Sequence, residues 1–158
     1  MNLPFQVVIR PARNNDRQII MELIIKVLSE YDLQFDPQGV DRDLSDIEKN
    51  YFRKGGLLEI METPEGAIIG CVGLYPLQNG ICELRKMYLL PEFRGRGLGK
   101  FLLERMLRKG RQLGFHKMVL ETASVLKRAV ALYEKYGFKP VDAGQCHSRC
   151  DRMFELDL

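Results

Sequence analysis

Apolar residues at Ile19, Ile20, Leu23, Ile24, Val27 and Leu28 recur at steps that share one face of a helix. Asn15 and Gln18 stand just before most of that run at capping-box spacing, so a first helix is predicted to about Tyr31. Val7 to Arg10 reads as a short strand. The stretch YDLQFDPQGVD reads as a loop. Leu44, Ile47, Tyr51 and Phe52 predict a second helix, ended by Gly55–Gly56. The pattern then changes. LLEIMET (57–63) and AIIGCVGLYPL (67–77) flank the turn PEG as a hairpin, and ICELRKMYLL (81–90) follows the turn signal Asn79–Gly80. These three runs predict an antiparallel meander. Leu98, Phe101, Leu102 and Met106 predict a helix over about 97–112. KMVLET (117–122) is a strand. Leu126, Ala129, Val130 and Tyr133 line one face of a further helix, closed by Gly137 as a left-handed cap. FKPV and the alternating FELDL are short strands.

The predicted order is β-α-α-β-β-β-α-β-α-β-β. A strand–helix–strand unit (81–122) after an antiparallel hairpin implies a mixed α/β (α+β) sheet with helices on both faces. A length of 158 residues favours one domain over 1–158. With 46% hydrophobic and 28% charged residues, the composition is that of an ordinary globular domain. A net charge of +3 is too small to argue for nucleic acid, and it is compatible with an anionic small molecule. There is no signal-peptide pattern, Asn2 breaks the myristoylation pattern, and no apolar run approaches a membrane span. The expectation is a soluble cytoplasmic protein whose Cys71, Cys82, Cys146 and Cys150 stay reduced.

Residues 91–107 read PEFRGRGLGKFLLERML, with glycines at 95, 97 and 99 directly before a helix. Backbone N–H groups at a helix start have no intrahelical partner, and the helix dipole adds partial positive charge there. Together they make an anion site suited to phosphate. Arg94, Arg96 and Lys100 add charge around it. The P-loop pattern fails, because Arg94 stands at its first glycine and Phe101 follows Lys100. The dinucleotide pattern G-x-G-x-x-G fails too, because from Gly95 its last glycine would fall on Lys100. What remains is Arg94-x-x-Gly97-x-Gly99. In the context LLPEFRGRGLGKFLLERML it resembles the R/Q-x-x-G-x-G/A motif of the GNAT superfamily of acetyl-CoA-dependent N-acetyltransferases. ALYEKYGF (131–138) resembles that family's second signature, and the resemblance covers roughly residues 7–158. The plainer alternative is a solvated helix cap.

The resemblance implies a mostly antiparallel sheet of six to seven strands. It also implies an acetyl-CoA site with no metal. Met87, Tyr88 and Leu89 would meet the pantetheine arm as an added strand would. Gly95, Arg96, Gly97, Leu98 and Gly99 would take the pyrophosphate, with Arg94 and Lys100 beside it. Leu126 and Ala129 would pack on the cofactor. Leu126 is a departure, since many members carry asparagine there. Tyr133 matches the tyrosine that donates a proton to the leaving thiolate, although a tyrosine on an apolar helix face is otherwise core. Glu83 is the candidate base. It stands six residues before Leu89, which puts both on one strand face if no bulge intervenes. Its alternative is a surface carboxylate paired with Arg85 or Lys86. Tyr31, Phe35, Arg85 and Arg149 are acceptor contacts by position, and the arginines could hold an acceptor carboxylate.

The implied activity is direct acetyl transfer to a primary amine of a small molecule, an amino acid or a protein. The alternative is a non-catalytic acyl-CoA-binding module of the same fold. The basic run Arg105, Arg108, Lys109, Arg111, Lys117 reads as a solvated helix face and not as a nucleic-acid site, because core positions interleave it. Cys146, His147 and Cys150 lack the paired spacing of a zinc site. Cys71 and Cys82 read as small core residues. The family often dimerises, which leaves a homodimer open.

Overall fold

The computed structural model describes residues 6–144, 146 and 149–158. Its strands are β1 (Val8–Pro11), β2 (Leu57–Glu62), β3 (Ile68–Pro76), β4 (Ile81–Leu89), β5 (Lys117–Thr122), β6 (Lys139–Val141) and β7 (Arg152–Asp157). They form one sheet in the order β1-β2-β3-β4-β5-β7-β6. β4 and β5 pair in parallel, and the other neighbours pair antiparallel. A parallel pair needs a crossover, and α2 (Leu98–Gln112) supplies it.

Helices cover both faces. α1 (Arg17–Ser29) presents Ile20, Ile24 and Leu28 to Leu58 and Ile60 of the sheet. On the other face, Leu102 and Met106 of α2 pack on Val72, Leu74 and Met118, as do Val130 and Tyr133 of α3 (Lys127–Lys135). β3 reads as a nearly unbroken apolar run, and β2 is buried along most of its length, Glu59 included, because both their faces are covered.

Two local expectations are corrected. The capping interaction does not use Asn15 and Gln18. The Asp16 carboxylate accepts the Arg13 N–H at 2.7 Å, and Arg10 donates to its two oxygens at 2.9 and 3.0 Å. The second helix is not regular. It is a short 3-10 turn (Arg42–Ser45) and one wide turn (Glu48–Phe52), separated by an extended Asp46. The break is held from outside the segment. Asn14 Oδ1 accepts the Ile47 N–H at 2.7 Å, and its amide donates to Asp46 at 3.0 Å.

β4 carries a bulge. Gly73 stands opposite Arg85, but Cys71 stands opposite Tyr88, so Lys86 and Met87 together oppose Val72. Lys86 has φ +56° in mid-strand. The extra residue reverses the alternation. Glu83 and Arg85 face the α1 side before it. Tyr88 and Leu90 face that side after it, while Met87 and Leu89 turn to the α2 side.

Candidate active site

β4 and β5 are hydrogen-bonded only from Ile81 opposite Lys117 to Glu83 opposite Val119. Beyond that point β4 stays with β3 and β5 stays with β7. The strands part, and a cleft of about 380 Å³ opens between them. Met87, Tyr88 and Leu89 line one side and Leu120–Ala123 the other.

The amino end of α2 closes the lower part of the cleft. Gly95 and Gly97 have φ +75° and +81°, the left-handed region that side chains disfavour. Gly97 is the N-cap, and the Phe101 N–H makes the first bond back to its carbonyl at 3.0 Å. The N–H groups of Leu98, Gly99 and Lys100 therefore have no helical acceptor. A Cβ on Gly97 would meet nothing within 4 Å, so backbone conformation, and not crowding within the protein, calls for glycine there. Gly95, Gly97, Gly99 and Lys100 all line the cleft.

Arg94 lines the cleft too, but its charge is already engaged. Its Nε–H donates to the Leu89 carbonyl at 3.0 Å, and its two terminal nitrogens donate to Glu30 at 2.8 and 2.9 Å. It ties the glycine loop to the end of β4 and to α1. The side chains of Arg96 and Leu98 do not line the cleft. Arg96 lies 5.8 Å from the Phe93 ring centroid, and Leu98 is 1% exposed in the core. Leu98 can therefore offer the site its backbone alone, while the Arg96 side chain is exposed beside the glycine loop.

α3 brings Leu126, Ala129 and Tyr133 to the cleft wall. Burial, with a smaller effect of Tyr88, pushes the Tyr133 phenol well above its ordinary value. Burial likewise pushes Tyr88 up to about 12, and Arg149 donates to its hydroxyl at 3.3 Å. Arg128, on the first turn of α3, also lines the cleft beside Gly95. No sequence motif singled it out, because only the approach of α3 to the glycine loop places it there.

At the other end of the cleft the bulge overturns one expectation. Glu83 and Leu89 lie on opposite faces of β4, and Glu83 shares its face with Arg85 and Tyr88. Glu83 accepts a hydrogen bond from Arg85 Nε. Arg85 stacks on the Tyr75 ring at 3.7 Å and reaches Asp43 at 3.3 Å. Arg149 makes a two-pronged contact with Asp41, at 2.5 and 3.0 Å, and donates to the Gln34 carbonyl at 3.1 Å. Both arginines line the cleft with their forks committed to acidic partners, which weakens the expectation that they hold an acceptor carboxylate. Tyr31 lines the cleft. Phe35 packs against the core under α1 and is not part of its wall.

Cys71 and Cys82 are free and buried, as expected, and burial pushes both thiols up to about 12. The expectation of four reduced cysteines fails at the other pair, since Cys146 and Cys150 are bonded to each other. Their sulfurs lie within 4.8 Å of a Glu121 oxygen, but a metal needs thiolates and not a disulfide. His147 lies outside the described residues. Besides Arg128, the sequence left Asp41 and Asp43 unmarked, and it gave Lys86 only as a surface partner of Glu83, whereas Lys86 is buried against those two aspartates. All three read as loop and strand-surface charges because their partners are far away in sequence.

A profile of the acetyltransferase (GNAT) family matches residues 24–138. The chain is 37% identical over 144 residues to an uncharacterized N-acetyltransferase, YjgM, of Escherichia coli (strain K12), covering 88% of this chain and 86% of that one. Among solved structures it is similar to a GNAT-family acetyltransferase from Staphylococcus aureus Mu50, with a TM-score of 0.86 at 23% identity over 96% of this chain and 99% of that one. It is also similar to a phosphinothricin acetyltransferase from Sinorhizobium meliloti in complex with AcCoA, with a TM-score of 0.74 at 23% identity over 96% and 88%.

Proposed function

The chain belongs to the acetyltransferase (GNAT) family, and from that premise we propose direct transfer of an acetyl group from acetyl-CoA to the primary amine of a small molecule or amino acid. The observation that carries this reading is the parting of β4 from β5 directly over the unpartnered amino end of α2. Acetyl-CoA supplies the activated thioester. The open backbone of Met87–Leu89 holds its arm in the manner of an added strand. The amides from Gly95 to Lys100 hold its pyrophosphate. The Leu89 N–H is the donor for charge that develops on the acetyl oxygen. Glu83, directly or through water, takes the proton that the attacking amine must lose. Tyr133 gives a proton to the departing sulfur, and burial keeps its O–H intact at neutral pH. Leu126 offers the cofactor apolar contact where an amide would hydrogen-bond.

No described helix is long and apolar enough to cross a membrane, and we take the protein to work in the cytoplasm as one domain. A protein amine as acceptor and assembly as a homodimer are the neighbouring possibilities. The test is free-thiol release from acetyl-CoA in the presence of amino acids, polyamines, aminoglycosides or short peptides. Stimulation by one class supports the reading and narrows the acceptor. Acetyl-CoA binding without stimulation by any class favours a non-catalytic module. Absence of binding refutes the cofactor site.

A further inference from the structure

A buried cation stands on β4 beside the cleft. The Lys86 side chain is 2% exposed, and its Nζ lies 2.7 Å from Asp41 Oδ1, 2.9 Å from the Val40 carbonyl and 3.1 Å from Asp43 Oδ1. Asp43 Oδ1 is buried and has no hydrogen-bond donor among the described residues, so Lys86 balances its charge. The Lys86 carbonyl, which the bulge removes from the strand ladder, accepts the Cys71 S–H at 3.0 Å. Asp41 in turn joins Lys86 to Arg149, and Arg149 reaches the Tyr88 hydroxyl.

This arrangement is costly twice over. A lysine at φ +56° sits in a region that glycine occupies more easily. Burying an ammonium between two carboxylates sacrifices hydration that an apolar side chain would not need. Both costs fall where β4 leaves β5, and strain kept at one point beside a cleft points to a role there.

We propose that Lys86 is a positioning residue for acetyl transfer. Its clamp on Asp41 and Asp43 holds the bulge in register. The bulge brings Tyr88 to the face that Glu83 and Arg85 already hold, and turns Met87 and Leu89 into the gap. The acceptor-side segment 40–43 and the backbone of the cofactor arm are thereby set against each other. Without the clamp, acetyl-CoA would still bind through the glycine loop and the acceptor amine would still enter, but the acetyl group and the amine would meet misaligned.

The inference rests on the acetyl-transfer reading, which wild-type protein tests by its own amine-stimulated thiol release. The variants are then compared with wild type. Lys86→Gly removes the ammonium while accepting the positive φ, and Asp41→Asn removes the charge from the shared partner. Each is assayed for acetyl-CoA affinity by calorimetry and for kcat and acceptor KM by thiol release. The expected result is acetyl-CoA affinity within about threefold of wild type and kcat lower by about 10- to 100-fold, the scale of a misplacement near 1 Å. A lower melting temperature with kcat and KM unchanged would make the clamp merely structural and overturn the proposal. Parallel loss of acetyl-CoA binding would assign Lys86 to the cofactor site and overturn it too. Failure of both variants to fold also counts against it, because the pair would then serve stability first.

Discussion

Tyr133 packs edge-on against Phe138, with ring centroids 5.8 Å apart, and its phenol loses hydration in doing so. Burial disfavours the phenolate, so the proton stays on at neutral pH and remains available as the sulfur departs. Tyr133→Phe is expected to lower kcat by about 10²-fold with acetyl-CoA affinity nearly unchanged. Steady-state kinetics beside calorimetry checks this, and an unchanged kcat with chemistry rate-limiting contradicts the role. Glu83 is a different case, because Arg85 already holds its carboxylate beside the cleft. If that carboxylate takes the amine's proton, Glu83→Gln removes the acidic limb of the kcat/KM profile. An unaltered limb leaves Glu83 as a partner of Arg85 alone. The roles of both residues were suggested by motif and spacing. Their placement in one cleft depends on the approach of α3 to β4.

At the scale of elements, the glycine loop and the bulge were unequally visible. The loop is local: Gly95 and Gly97 adopt left-handed conformations that glycine accepts readily, and the helix starts immediately after. Its anion site is therefore written in consecutive residues. Gly97→Glu is expected to abolish acetyl-CoA binding by bulk and like charge. The left-handed φ adds a penalty of roughly 1–2 kcal/mol for any residue with a Cβ. Gly97→Ala isolates that strain, so calorimetry on the pair separates strain from repulsion. Normal binding by a folded Gly97→Glu protein would refute the site. The β4 bulge, by contrast, has no local mark in its own strand. ICELRKMYLL contains no glycine or proline to mark an irregularity, and the devices that hold it, Cys71 and segment 40–43, lie elsewhere in the chain. The second helix is broken for the same reason, because Asn14, from another part of the chain, accepts the N–H groups at the start of its second turn.

Across the whole molecule, several carboxylates are held below the ordinary carboxylate range by paired cations. A hydrogen bond from Arg10 is the leading cause at Asp16. Burial alone would raise Asp41 and Glu59, but Arg149 with Lys86, and Arg105 with Lys109, outweigh it. Each carboxylate binds a proton less readily folded than unfolded. Their stabilisation is therefore complete above the unfolded value of about 4 and is lost as pH falls through the lower folded values. Calorimetric melting temperatures are expected to stay level from about pH 8 to 5 and to fall below about pH 4, with part of that fall absent in Asp41→Asn. A melting temperature that rises on acidification would contradict the sign. The sequence by itself determined what depends on neighbours along the chain: the strand and helix faces, the hairpins, the glycine loop at the start of α2 and the family signatures. The tertiary structure decided what depends on partners brought from afar. It set the parity of β4 past Lys86 and the commitment of Arg85, Arg94 and Arg149 to Asp43, Glu30 and Asp41. A periodic pattern records which side of an element is buried. It does not record which charge arrives opposite, because that is fixed only when segments such as 40–43, 86 and 149 close on one another.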